Sequence, residues 1–112
     1  MSFPINFDRY VWTQLTLSPT AVSANTTSTQ TFTVNGLAAT DLICEIDSKS
    51  LQTGLFIANA DVSATNTLRL QFANITSASI TPTSAGTYNA CFCRPEKVLG
   101  GADALSGGVV FP

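Results

Sequence analysis

At 112 residues the chain is the size of one ordinary domain, long enough to bury about two-thirds of its unfolded surface without disulfides or metal. It is 45% hydrophobic but only 11% charged, against a usual value of about 25%, and sixteen Thr, eleven Ser and seven Asn carry its polarity. The net charge is −2 and the five cations, Arg9, Lys49, Arg69, Arg94 and Lys97, form no cluster, which argues against a nucleic-acid partner.

Residues 1–10 read as an N-terminal arm dense in aromatics, with Phe3, Phe7 and Tyr10 and then Trp12 just beyond it. Period-2 alternation starts at residue 11, where Val11, Leu15 and Leu17 alternate with Trp12, Gln14 and Thr16, and Ser18-Pro19-Thr20 closes the strand. Residues 21–28 are small and polar and predict a loop with a short edge strand. Thr29 to Val34 alternates again, Phe32 and Val34 inward, and Asn35-Gly36 is the strongest short turn signal in the chain. Leu42, Cys44 and Ile46 are expected on one face of the next strand. Gly54 to Ala60 is almost wholly apolar and predicts a strand covered on both faces. Leu68, Leu70 and Phe72 alternate with Thr67, Arg69 and Gln71, Ile75 and Ile80 bracket a short strand, and Tyr88, Ala90 and Phe92 share a face of the last one.

These segments recur every 10 to 12 residues or so, without a helical period. They predict an all-β fold: an antiparallel Greek-key β-sandwich, immunoglobulin-like, of about seven strands, spanning residues 11–94. The stretch Ser84–Tyr88 before a cysteine-bearing strand is similar to the tyrosine corner of immunoglobulin-like domains, although Cys91 lies three residues after Tyr88 rather than two. Residues 95–112 lose the alternation and form a C-terminal arm with glycine hinges and an apolar end, Val109, Val110 and Phe111. The arms are expected either to lie on neighbouring subunits or to fold back on their own domain.

Charge is costly to desolvate, so a charge-poor, Thr-rich and still hydrophobic chain suits a surface that is covered by other protein. The N-terminus lacks a basic start followed by an apolar run, so no signal peptide is expected. No apolar stretch reaches the roughly 18 residues of a membrane span. Synthesis and folding in a cytosol are expected, which leaves the sequons at Asn25 and Asn74 idle.

The chemistry of a catalytic centre is not found. Without His the commonest general base is missing. Asp41, Glu45 and Asp47 are expected on one strand side and its end, either as a weak cation site or simply as a solvated face; calcium-loop spacing is lacking. Cys44, Cys91 and Cys93 lack the His that would complete a common zinc set. They read as small buried hydrophobes, or as a source of a Cys44 bridge to Cys91 or to Cys93 in an oxidising medium. A carbohydrate-stacking platform of Tyr10 and Trp12 is not expected, because strand neighbours alternate between faces. No enzymatic activity, cofactor or metal is expected.

From Phe32 to Arg94 the chain resembles a family of small virion structural proteins of tailed bacteriophages, including marine podoviruses of the T7-like kind. The residues that carry the likeness are Thr33–Leu37, Gly54–Leu68, Leu70–Thr76, Ile80–Pro82 and Thr87-Tyr88. The resemblance implies a head-associated decoration or cement protein on the phage head surface, with the major capsid protein and neighbouring copies of itself as partners. Phe3, Phe7, Tyr10, Trp12, Val109, Val110 and Phe111 are the candidate partner-binding residues. The rival expectations are a tail, fibre or knob adhesion module that binds a host surface component, and a small metal- or redox-linked protein using the three cysteines.

Overall fold

A computed structural model describes residues 7–95 of the chain. Six strands fall within them: β1 (Phe7–Leu17), β2 (Thr26–Thr33), β3 (Leu42–Asp47), β4 (Leu55–Ala64), β5 (Thr67–Asn74) and β6 (Gly86–Pro95). They form two antiparallel three-stranded sheets, ordered β1-β6-β3 and β2-β5-β4. The described residues contain no helix, and so none long and apolar enough to cross a membrane.

The alternation of the two central strands builds the core. Tyr88, Ala90 and Phe92 on β6 face Leu68, Leu70 and Phe72 on β5, all of them buried. The Phe72 and Tyr88 rings meet edge to face, with centroids 6.5 Å apart. Leu17, Leu55 and Val62 complete the packing from the flanking strands. The Tyr88 hydroxyl is buried without a hydrogen-bond partner among the described residues. In a tyrosine corner that hydroxyl bonds the backbone, so this turn does something different.

Several expectations are corrected. Strand β1 begins at Phe7, so Phe7–Tyr10 belong to the sheet rather than to an arm. The stretch Ile75–Ile80 is not a strand, which leaves six instead of about seven. It makes one isolated bridge, Val22 to Ile80, with N–H···O bonds of 2.8 and 3.0 Å. In β3 it is Ile43 and Ile46 that pack on the core, while Leu42 and Cys44 are exposed. The cause is a bulge between Ile43 and Glu45: Cys44 is the extra residue, and it reverses the phase of the strand. In β4 a bulge between Ile57 and Asn59 acts similarly. That strand is not covered on both faces, since it lies at a sheet edge with Phe56 and Ala58 exposed.

Two polar clamps fix the loops. Asn74 is almost fully buried at the end of β5. Its Nδ2 donates to the carbonyls of Val22 (3.0 Å) and Ala78 (2.8 Å), and its Oδ1 accepts from the Thr76 N–H (2.9 Å) and hydroxyl (2.7 Å). All its bonding capacity there goes to holding two loops. At the Asn35-Gly36 turn, Gly36 has φ +102°, a conformation glycine reaches without steric cost. The turn carries the chain from β2 in one sheet towards β3 in the other. Asn66, at the tip of the β4–β5 hairpin, holds it through Asn66 Oδ1, which accepts from the Gly36 N–H at 2.8 Å.

Candidate interaction face

The outward side of the β1-β6-β3 sheet is built from three cross-strand rows. Tyr10 opposes Cys93, which opposes Leu42; Trp12 opposes Cys91, which opposes Glu45; Gln14 opposes Asn89, which opposes Asp47. Opposed residues share a face, so nine side chains from three strands form a surface that is apolar and aromatic at one end. Tyr10 is 66% exposed, Trp12 64% and Leu42 53%. Cys91 and Cys93 lie between these larger neighbours and are buried even though they point away from the core. The polar end is a ladder: Gln14 Nε2 donates to Asn89 Oδ1 (3.2 Å), and Asn89 Nδ2 donates to Asp47 Oδ1 (3.0 Å).

Tyr10 and Trp12 therefore share one face, contrary to expectation. They are two residues apart, and the side-chain period of a strand is two. The neighbouring Cys91 thiol above all, with the charge the nearby thiols acquire on ionising, pushes the Tyr10 pKa up to about 12. Leu42 and Cys44 were not foreseen on this face. Their signal is the three-residue spacing of Ile43 and Ile46, which a regular strand cannot bury together.

Of the other candidate residues, Phe7 is the first residue of β1. Phe3, Val109, Val110 and Phe111 lie outside the described residues.

The three acids do not share a site. Asp41 is buried and pairs with Arg94, 53 residues away: Arg94 Nε donates to Oδ1 at 2.6 Å and Nη2 to Oδ2 at 2.9 Å. Arg94 Nη2 also bonds the Gly36 carbonyl at 2.9 Å. The Arg94 guanidinium above all, with the Ala38 N–H, holds the Asp41 carboxyl below the ordinary carboxylate range against the opposing effect of burial. Glu45 and Asp47 stand on the outer face. Among the described residues, no group of three or more His, Cys, Asp or Glu side chains could hold a metal ion.

A groove of about 380 Å³ opens between β1 and the loop after β2, lined by Val11, Leu15, Val34, Leu37 and Phe92, with Arg9 beside it. Val11 is 46% exposed there, so the inner side of edge strand β1 is only partly covered.

The outward side of the other sheet is different in kind. Thr27, Thr29 and Thr31 of β2 stand beside Arg69 and Gln71 of β5 and Asn59 and Asp61 of β4. Arg69 and Asp61 form a two-pronged ion pair. Phe56 is the large apolar side chain on this side.

No family model, curated protein or solved structure matches the chain.

Proposed function

We propose that the chain is a bacteriophage virion structural protein, a decoration or cement protein seated on the head shell through the Tyr10–Trp12–Leu42 face. The observation that carries the proposal is that face. It places two aromatic residues and a leucine, each more than half exposed, on a chain with few charges. A free monomer is expected to cover its sheets with interspersed charge, and exposed aromatics in a charge-poor patch suit the centre of a protein interface. The sequence resemblance to small phage virion proteins supplies the particle; the face supplies the mode of attachment. The partners in this reading are the major capsid protein and neighbouring copies of the chain, and no catalytic step is involved.

In this reading the fold is a Greek-key sandwich of immunoglobulin-like type. In support, four of the five connections between successive strands cross from one sheet to the other, and only β4–β5 is a hairpin within a sheet.

The shared face of Tyr10 and Trp12 also favours a second reading, an adhesion module on a tail, fibre or knob whose aromatic pair stacks on a host surface sugar. Copy number in purified particles separates the two. A count proportional to the major capsid protein supports the decoration reading; a count matching the tail parts supports adhesion and overturns decoration. Absence from particles overturns both.

A further inference from the structure

The bulge in β3 does more than shift the phase of the strand. It pushes Cys44 towards Cys93 on the neighbouring strand, and the two sulfurs lie 2.8 Å apart although the residues are 49 positions apart in sequence. Both are free thiols. A disulfide bond is about 2.05 Å long, so closing it takes a side-chain adjustment and no strand movement. Cys44 is exposed to solvent while Cys93 is buried beneath its neighbours.

We propose that Cys44 and Cys93 are a thiol pair that closes to a disulfide when the protein meets an oxidising medium, fastening edge strand β3 to central strand β6. The oxidant is a small-molecule disulfide. The Cys44 thiolate attacks one of its sulfurs and expels one thiolate, leaving a mixed disulfide on Cys44. The Cys93 thiolate then attacks the Cys44 sulfur and expels the second thiolate. The protein loses two electrons and two protons, and the oxidant leaves as two thiols.

The geometry also selects the pair. Cys91 and Cys93 are two positions apart on one strand, which sets their Cβ atoms about 6.7 Å apart, whereas a disulfide needs about 3.8 Å. Cys91 opposes Glu45 rather than Cys44 across the β3–β6 ladder, while the Cys44 sulfur lies 2.8 Å from that of Cys93, so Cys91 remains the third, reduced thiol. The link would join β3 to β6 where the bulge interrupts their ladder. It needs no assumption about which particle carries the chain.

The test uses the full chain, purified reduced and incubated with oxidised glutathione at mildly alkaline pH. Intact mass is expected to fall by two hydrogen atoms with one titratable thiol left, and the melting temperature to rise by roughly 10 °C, because a closed loop of this length constrains the unfolded chain. Cys91→Ser should oxidise as the parent does. Cys44→Ser, a change at an exposed position, should not lose two hydrogens. The proposal is overturned if the parent keeps three thiols, if Cys44→Ser still forms an internal disulfide, or if Cys91→Ser prevents one.

Discussion

The two sheets turn opposite kinds of surface outward. Across β1-β6-β3 the outward rows hold Tyr10, Trp12, Leu42 and two thiols, with Cys44 on the bulge beside them, and ionised groups enter only from the row of Glu45 onward. Across β2-β5-β4 they hold threonines, amides and the Asp61–Arg69 pair. The core beneath is shared, so stability does not demand this difference. In the proposed function the first sheet faces protein and the second faces water.

The strongest way to break this comparison is to charge each face in turn. Tyr10→Glu with Trp12→Glu should weaken binding to particles stripped of the protein by ~100-fold, since interface energy concentrates in a few aromatic residues. Thr29→Glu with Gln71→Glu, on the other sheet, should leave binding unchanged. Equal losses from both pairs in a sedimentation binding assay would remove the distinction between the faces.

A second contrast concerns how each sheet is clamped to its loops. Asn74→Ala removes the amide donor from the Val22 and Ala78 carbonyls and leaves the Thr76 N–H without its partner, and should cost ~2–3 kcal/mol by urea unfolding. The clamp of the other sheet is ionic and is expected to be pH-sensitive. Because Arg94 holds the Asp41 carboxyl below the ordinary value of 3.8, the folded state binds that proton less readily than the unfolded chain does. The ion pair therefore contributes in full above pH 3.8 and loses its contribution as pH falls through the lower folded value. Asp41→Asn should lower the urea midpoint at neutral pH by an amount equivalent to ~2 kcal/mol, and should flatten the acid limb of stability against pH. The smallest effect is expected at Asp61→Asn, which breaks an exposed pair and should leave the urea midpoint within experimental scatter.

Legibility in the sequence followed register. β5 pairs with β2 without a bulge, β6 pairs with β1 in unbroken register from Arg9 to Leu17, and their buried triplets, Leu68-Leu70-Phe72 and Tyr88-Ala90-Phe92, could be read directly from alternation. The edge strands β3 and β4 carry bulges at Cys44 and Ala58, and a single extra residue turns a correct period into a wrong face. The clamps were beyond local reading. Asp41 finds Arg94, and Asn74 finds Val22, only after the chain has crossed between sheets, and no spacing rule links residues 53 or 52 apart. The Tyr10–Trp12 platform, by contrast, was available from the two-residue spacing alone. Which cysteine would partner Cys44 depended on the bulge, so it could not be settled from sequence.

The first and last residues of the described sheet, Phe7 and Pro95, are paired with one another on adjacent strands. The polypeptide thus enters and leaves the two-sheet body side by side. Peptides fused ahead of Phe7 and behind Pro95 would emerge at the same pole, giving a bivalent display scaffold from one genetic unit. A short linker joining those two points, with new ends opened at exposed Lys49 or within the exposed Thr83–Ala85 turn, would give circular permutants that keep the strand pairings intact.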